Sequence, residues 1–207
     1  MKAERLESWN FDYLYMKIHR ILPETHANGP GCRFAVWVQG CSRRCPGCFN
    51  PETHDFSGGC ELKVTEIISQ IPAETCGITV SGGEPFEQTD ELFKLLKETG
   101  RMGLNRLVYT GYTYEELSAQ KDGMAAKCLC VIDTLIDGAY KKEISPYIPW
   151  TGSGNQRLLH LTRGKIQKIY KISDIEPALH IEGEILIDQS GNILATGIID
   201  SKGFWVT

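Results

Sequence analysis

The stretch Arg33-Phe-Ala-Val-Trp-Val38-Gln-Gly-Cys41-Ser-Arg-Arg-Cys45-Pro-Gly-Cys48 joins an apolar run to three closely spaced cysteines. Its apolar half predicts a buried β-strand. A loop from residue 40 to about residue 59 follows at once, and its first part, the cysteine loop (residues 40–48), contains glycine and proline. Proteins of the α/β class place their chemistry on loops that leave the carboxyl ends of parallel strands. We therefore expect this strand to deliver the cysteine loop to the functional edge of an α/β fold.

The spacing of Cys41, Cys45 and Cys48 indicates a metal centre. Cysteine thiolates are the usual ligands of iron–sulfur clusters, and a complete set for a cubane is four. Three thiolates would hold a [4Fe–4S] cluster by three corners and leave one iron open for a cofactor or substrate. The competing metal is zinc, whose closed tetrahedral site needs a fourth ligand, for which His54 is the candidate.

The composition is that of an ordinary soluble globular protein, with 42% hydrophobic and 23% charged residues. A formal net charge of −4 disfavours general electrostatic binding to nucleic acid. The amino terminus has no apolar signal-peptide core, and no apolar run is long enough to span a membrane. We therefore expect a cytoplasmic protein, in which eight cysteines favour metal binding over a disulfide framework.

Strand and helix patterns alternate through the middle of the chain. The strands are predicted at 33–38, 77–80, 106–109 and 128–136, and the helices at 63–71, 87–99 and 114–119. This alternation predicts a mostly parallel sheet with helices outside it. About four such units are too few for a closed eight-stranded barrel, so a partial, open α/β barrel is the expected architecture.

The segment 128–136 begins Cys-Leu-Cys. A strand would place Cys128 and Cys130 on the same face, and core packing is then favoured over metal ligation for both side chains.

The carboxy-terminal part has a different pattern. Two short apolar runs, 184–188 and 193–197, flank Gln189-Ser-Gly-Asn192 and predict an antiparallel hairpin. We expect a core with an amino-terminal lead-in over 1–163 and a small extension over 164–207. The extension is predicted to recognise a partner or to cover an open sheet edge.

Two motifs in order carry a family resemblance. The cysteine triplet and the glycine motif, Ser81-Gly-Gly-Glu-Pro85, resemble the radical S-adenosylmethionine (SAM) superfamily, whose fold is a full or partial α/β barrel. The resemblance implies that Cys41, Cys45 and Cys48 bind the cluster. It implies that the glycine motif, with Ser81, Gly82, Gly83 and Glu84, contacts the methionyl end of SAM. The implied reaction is reductive cleavage of SAM to methionine and a 5′-deoxyadenosyl radical.

Further motifs resemble the activating enzymes of anaerobic ribonucleotide reductases across about residues 15–163. They are Asn28-Gly-Pro-Gly31, Val38-Gln-Gly-Cys41, Cys45-Pro-Gly-Cys48, Asn50-Pro51, Tyr109-Thr-Gly-Tyr112, Leu135-Ile-Asp-Gly138 and Gly152-Ser-Gly-Asn-Gln-Arg157. Such enzymes take a hydrogen from a backbone glycine of a partner protein. The resemblance implies a polypeptide substrate and an external one-electron donor such as flavodoxin or ferredoxin.

The remaining candidate cofactor contacts come from these motifs. They are Phe49, Asn50, Thr110, Asp137, Asn155 and Arg157, with Gln156 between the last two. Phe49 is the candidate for packing on adenine, because the position before the third cysteine, often aromatic in the superfamily, is Gly47. Asp137 either binds near SAM or ends a turn, and Asn155, Gln156 and Arg157 either reach the cofactor or cap the last core element. The chain also has Ala139-Tyr140 where the activating enzymes usually have proline and phenylalanine.

Two other functions fit part of the pattern. A radical SAM maturase or splicease that modifies a precursor peptide would use the same chemistry. An iron–sulfur electron carrier or sensor would need the cysteines but no SAM cradle, so the glycine motif disfavours it.

Overall fold

The computed structural model describes residues 13–119, 123–145, 148–175, 183–187 and 193–197. Its strands are β1 (Tyr15–Thr25), β2 (Arg33–Val38), β3 (Cys60–Lys63), β4 (Gly77–Gly82), β5 (Asn105–Tyr109), β6 (Thr134–Asp137), β7 (Arg157–Thr162), β8 (Lys165–Ile169), β9 (Gly183–Ile187) and β10 (Ile193–Gly197). Its α-helices are α1 (Val64–Ser69), α2 (Thr89–Arg101), α3 (Tyr114–Ser118) and α4 (Met124–Val131). Among the described residues, no helix has the length and apolarity that crossing a bilayer requires.

Eight strands form one sheet in the order β3-β1-β2-β4-β5-β6-β7-β8. The four central strands, β2, β4, β5 and β6, run parallel, as the alternating pattern predicted. Antiparallel strands extend the sheet on both sides, with β1 and β3 beyond β2 and with β7 and β8 beyond β6. The α/β class is therefore confirmed, and the parallel part is the centre of a mixed sheet.

The two faces of the sheet have different neighbours. On one face, alternate residues of β2 and β4 pack with apolar side chains of all four helices in the main core. These strand residues are Phe34, Val36, Val38, Ile78 and Val80. Because side chains alternate along a strand, Trp37 and Ser81 point to the other face, where they border a cavity. The helices thus cover one face, and the cavity lies on the other.

The segment 128–136 was predicted as a strand, and this prediction was wrong for its first half. It enters the structure as the end of α4, followed by β6. The reason is helical periodicity: Ala125, Cys128 and Leu129 are buried at i, i+3 and i+4, whereas Cys130 is exposed. The two cysteines therefore do not share a face, and core packing holds for Cys128 alone.

The carboxy-terminal hairpin is present as predicted. Strands β9 and β10 pair antiparallel in a separate two-stranded sheet, with Ile193 opposite Ile187 and Gly197 opposite Gly183. The predicted turn at 189–192 and residue 188 lie outside the described residues. Strand β8, which follows residue 163, forms the edge of the large sheet.

Candidate active site

The cysteine loop begins where β2 ends, and two residues set its direction. Gly40 has φ of +98°, a conformation that glycine adopts without strain, and its N–H donates to the carbonyl of Thr53 (2.8 Å). The side-chain amide of Gln39, 2% exposed, donates to the carbonyls of Glu52 (3.0 Å) and Asp55 (2.7 Å). The base of the loop is therefore tied to the segment that follows the third cysteine.

The three thiols lie in different surroundings. Cys41 is buried, and Cys45 and Cys48 are half-buried. Burial raises the pKa of the Cys41 and Cys48 thiols, and nearby backbone N–H groups oppose this rise. One of these is the N–H of Asn50, which donates to Cys48 Sγ (3.4 Å). Because N–H groups directed at sulfur stabilise a metal-bound thiolate, these donors suit the ligands of an iron–sulfur cluster.

All three cysteines line one cavity of about 380 Å³, a volume typical of ligand sites. Within the described parts of the chain, no three His, Cys, Asp or Glu side chains converge closely enough to hold a single metal ion. Three cysteine thiols on one cavity are a donor set that fits an iron–sulfur cluster with one open iron.

His54, the candidate zinc ligand, also lies on the wall of this cavity. Its buried Nε2 has no hydrogen-bond partner among the described residues. A buried polar atom without a partner is unfavourable, so this nitrogen marks a place where a polar ligand would be stabilised.

The glycine motif leaves β4 directly against the base of the cysteine loop. The N–H of Gly83 donates to the carbonyl of Val38 (2.8 Å), and that of Glu84 donates to the carbonyl of Gly40 (2.9 Å). A Cβ on Gly83 would lie 2.3 Å from the Gly40 carbonyl oxygen, and a Cβ on Gly82 would lie 2.4 Å from the Val38 nitrogen. Only glycine permits this approach, which brings the backbone of the motif to the cavity beside the cysteines.

Glu84 is buried, with 1% of its surface exposed, and its hydrogen bonds connect the glycine motif to the end of the next strand. Its carboxylate accepts hydrogen bonds from the N–H groups of Phe86 (3.0 Å) and Gly111 (2.8 Å) and from the Thr110 hydroxyl (2.9 Å). Burial raises the pKa of Glu84 to about 7, and the three hydrogen bonds oppose the rise. Since Thr110 and Gly111 follow β5, Glu84 joins the ends of β4 and β5 on the cavity wall.

Phe49, Asn50 and Thr110 line the cavity with Ser81 and the other residues of the glycine motif. The Phe49 ring packs at a tilt against Tyr140, with ring centroids 4.9 Å apart. This pair lies beside the third cysteine and presents the kind of aromatic surface on which a purine ring packs.

Three of the predicted cofactor contacts are absent from the cavity lining. Asp137, fully buried at the end of β6, accepts hydrogen bonds from the Tyr114 N–H (2.7 Å) and from the Arg157 guanidinium through both oxygens. Arg157 also donates to the Glu115 carboxylate (2.7 Å). Asn155 donates to a backbone carbonyl in the loop after β6 (2.8 Å). These side chains join β6, β7 and α3 to each other.

Tyr109 and Trp150 line the cavity without having been singled out in the sequence. The Tyr109 hydroxyl donates to the Trp150 carbonyl (2.9 Å), and burial raises the pKa of Tyr109. Gln156 also lines the cavity, donating to the Gly138 carbonyl (2.9 Å) and accepting from the Gly152 N–H (2.8 Å). Tyr109 and Gln156 belong to motifs of the family resemblance, which located them without giving their side-chain directions.

Part of the cavity wall comes from the carboxy-terminal hairpin. Ala195, Thr196 and Gly197 of β10 line the same cavity as the three cysteines. Nothing local in the sequence indicates this placement, because it depends on contacts between residues more than 150 positions apart.

A basic surface borders the cysteine loop, where Cys45 is half-exposed. Arg43 and Lys141 line it together with the acidic Glu143, and the cations Arg44 and Lys142 lie in or against the loop. The Arg43 guanidinium lies 4.6 Å from the ring centroid of Tyr112. The stem of Lys142 covers Gly47, where a Cβ would lie 2.6 Å from Lys142 Cδ. Such a surface attracts acidic partners.

Comparisons with known proteins agree with this geometry. Residues 27–159 match the family described as a 4Fe-4S single cluster domain. The anaerobic ribonucleoside-triphosphate reductase-activating protein of Escherichia coli (strain K12) is 30% identical over 157 residues, covering 70% of this chain and 99% of that protein. The protein of the same name from Enterobacteria phage T4 is 30% identical over 158 residues, covering 72% and 97%.

Among solved structures, QueE from Escherichia coli matches with a TM-score of 0.41 and 17% sequence identity. The match covers 50% of this chain and 56% of QueE.

Proposed function

This chain belongs to the 4Fe-4S single cluster domain family as a radical SAM enzyme, and we propose that it activates a glycyl-radical enzyme. Its cofactors are a [4Fe–4S] cluster and SAM. The substrate we propose is an anaerobic ribonucleotide reductase, because the relatives are named as its activating proteins and match over nearly their whole length. The observation that carries the proposal is the convergence of the cysteine loop and the glycine motif on one cavity.

When bound, the cluster and SAM would supply one-electron reductive cleavage of SAM, the chemistry that hydrogen abstraction from a polypeptide requires. The chain's own residues bind and orient these groups. Cys41, Cys45 and Cys48 would hold the cluster. The closely approaching backbone of the glycine motif would bind the methionyl end of SAM, and Phe49 would pack on its adenine.

Glu84 acts through its neighbours as a positioning residue. It fixes Thr110 and Gly111 against the glycine motif, so that the SAM-facing ends of β4 and β5 keep their spacing. His54 offers its unpaired Nε2 to a polar group of the bound cofactor. Asp137, Asn155 and Arg157 support the site from outside the lining and set the positions of the loops around it.

The architecture we propose is a partial barrel formed by residues 1–163, with an extension over 164–207. Two observations support an open barrel. Helices cover one face of the large sheet while the cavity occupies the other, and β3 and β8 end the sheet without pairing to each other among the described strands. An open side of this kind admits a polypeptide to the radical.

The second partner we propose is an external one-electron donor, such as flavodoxin or ferredoxin. The basic surface suits a donor with an acidic face, and it lies beside the half-exposed Cys45, where a donor would come close to the cluster site.

The test uses anaerobically prepared protein, SAM, a reductant and purified anaerobic ribonucleotide reductase. We expect about four irons and four labile sulfides per chain. We also expect 5′-deoxyadenosine on reduction and a glycyl radical in the reductase by electron paramagnetic resonance. A preparation that holds zinc without sulfide would reject the cluster. Loaded protein that releases 5′-deoxyadenosine but leaves the reductase without a radical would reject the proposed substrate.

A matched pair of variants assigns the ligands in the same experiment. Cys41→Ala should abolish the cluster, because it removes one of three thiolates. Cys128→Ala removes a thiol that is also buried, on α4 and outside the cavity lining, and it should leave the iron content unchanged.

The second candidate is a radical SAM enzyme that modifies a precursor peptide. The hairpin is compatible with this candidate too, because β10 lies beyond residue 159, where the family match ends, and lines the cavity to which either polypeptide would come. Mass change in a peptide encoded beside this chain, without a radical in the reductase, would select this candidate. An electron carrier or sensor is the third candidate, and it would release no 5′-deoxyadenosine.

A further inference from the structure

The carboxy-terminal hairpin is attached to the connection between β1 and β2 by side chains from both of its strands. In β9, the Glu184 carboxylate accepts hydrogen bonds from the Thr25 hydroxyl (2.5 Å) and the His26 N–H (2.9 Å). In β10, the buried Thr196 hydroxyl accepts from the side-chain amide of Asn28 (2.8 Å). Two strands held at separate points cannot pivot about a single contact, so the hairpin has a defined position.

This attachment continues into the central sheet. The Asn28 carbonyl accepts a hydrogen bond from the Thr79 hydroxyl of β4 (2.7 Å). Thr79 in turn accepts from Nε of Arg33 (2.6 Å), which is 1% exposed. Buried polar groups that are all hydrogen-bonded to one another specify one arrangement. The hairpin is therefore positioned by the same sheet that delivers the cysteine loop and the glycine motif.

The cavity runs along one edge of β10. Ala195, Thr196 and Gly197 are consecutive and all line it, although successive side chains of a strand point to opposite faces. Consecutive residues border one space when that space lies along the strand's edge. Strand β9 occupies the other edge of β10, and no described strand pairs with the edge that faces the cavity. A strand edge that is unpaired among the described residues is a place where an incoming chain can add as a further strand.

The hairpin also lies outside the part of the chain that shares its family. The family match ends at residue 159, and the cluster ligands and the glycine motif precede that point. An element that adds to the cavity wall without supplying either motif is placed to contact the substrate rather than the cofactors.

We propose that the cavity-facing edge of β10 is the docking site for the polypeptide substrate, which adds to it as an extended strand next to Ala195–Gly197. Backbone hydrogen bonds would give the affinity, and the small residues at 195 and 197 leave room for a chain that carries glycine. This inference rests on the proposed function, because it takes the partner to be the glycine-bearing segment of the reductase.

A matched pair of substitutions tests it. Ala195→Phe adds a ring on the cavity wall beside the edge that the substrate would occupy, and Ala195 is exposed, which leaves space for the ring. Ile187→Phe is the control, because Ile187 is 69% exposed in β9 and outside the cavity lining. The measurement is glycyl radical formed in the reductase per 5′-deoxyadenosine released. We expect this ratio to fall at least about tenfold for Ala195→Phe and to stay within about twofold for Ile187→Phe. Equal ratios in the two variants would overturn the inference.

A second measurement is independent of turnover. Ala195 or Ile187 is replaced by the photo-crosslinking residue p-benzoylphenylalanine in full-length, cluster-loaded protein, which is then irradiated with purified reductase. We expect capture from position 195 at the segment containing the radical glycine, and none from position 187. A radical that forms in the reductase without capture at 195 would overturn the docking site alone. A wild-type protein that never forms the radical would overturn the proposed function, and the docking site with it.

Discussion

Two buried carboxylates at the carboxyl ends of parallel strands, Glu84 after β4 and Asp137 in β6, are stabilised in opposite ways. Asp137 receives the Arg157 guanidinium through both oxygens. Glu84 accepts hydrogen bonds from two backbone N–H groups and the Thr110 hydroxyl. The charge of Asp137 is thus neutralised by a cation. The donors to Glu84 are uncharged, and burial raises the pKa of its carboxyl to about 7.

This difference in how the two carboxylates are stabilised indicates that the β4–β5 and β6–β7 corners have different roles. The β4–β5 corner lines the cavity and contains the close backbone approach at Gly82 and Gly83, so it keeps space for a ligand. At the β6–β7 corner, Gly138 and Gln156 reach the lining, but the buried Asp137 and its partner Arg157 do not, and their ion pair closes the corner. We infer that the first corner serves chemistry and the second serves stability.

The largest expected effect is at the first corner. Gly83→Ala places a Cβ 2.3 Å from the Gly40 carbonyl oxygen, which forces the glycine motif away from the cysteine loop. We expect SAM cleavage per bound cluster to fall on the order of 100-fold, the effect of a displacement of about 1 Å in an active site. Gly103→Ala is the control, because its Cβ meets nothing within 4 Å. It should cost only the strain of its φ of +82° and retain cleavage. If Gly83→Ala cleaved SAM at the normal rate, the glycine motif would not be the binding site for the methionyl end of SAM.

The second effect tests the opposite corner. Arg157→Met removes the cation from a fully buried Asp137, and an unpaired buried charge costs about 3 kcal/mol of unfolding free energy. Arg101→Met breaks an exposed pair with Glu98 and should cost less than about 1 kcal/mol. Denaturant unfolding measures both. Because Arg157 is absent from the cavity lining, cleavage per folded, loaded protein should persist. Lost cleavage at unchanged stability would instead place Arg157 in cofactor binding.

The sequence predicted most of the first corner, because its signals are local. The cysteine triplet, the glycine motif and the strands before them lie within short stretches whose spacing determines the structure. The hairpin of β9 and β10 was predictable for the same reason. The second corner was only partly predictable. The sequence motifs include Asp137 and Arg157. The sequence did not predict that these two side chains, twenty positions apart, bind each other instead of the cofactor cavity.

Two features were not available from local pattern. The run of apolar residues after Lys127 is compatible with a strand or with a buried helix. Only the packing of Cys128 and Leu129 in the core shows that this segment belongs to α4. The placement of Thr196 on the cavity wall depends on Asn28, which is 168 positions away in the chain. A contact between positions so far apart leaves no local pattern in the sequence.

The third effect is the pH dependence of Glu84. Its folded-state pKa of about 7 lies above the ordinary value of 4.5, so the folded protein binds the extra proton between these two values. Stability is therefore highest at the acidic end and decreases as pH rises through 7. Relative to Glu84→Gln, which has no proton to lose, wild type should lose about 2 kcal/mol of unfolding free energy between about pH 5.5 and 8. Parallel stability curves for the two proteins would show that burial does not raise this pKa.

The smallest expected effect concerns the basic surface, which lies beside the cysteine loop and belongs to neither buried carboxylate. Arg44→Glu and Lys142→Glu reverse exposed charges near the half-exposed Cys45. We expect each to slow cluster reduction by flavodoxin by about threefold to tenfold at low salt, because complementary charge acts mainly on the association rate. Added salt should remove the difference, since it screens exposed charges.

Lys127→Glu makes the same change on α4, away from the cysteine loop, and should leave the rate unchanged. Reduction by dithionite, which does not dock, should be equal in all three variants. Slower dithionite reduction would mean that the charges alter the cluster itself, and equal rates with flavodoxin would move the donor's docking site off this surface.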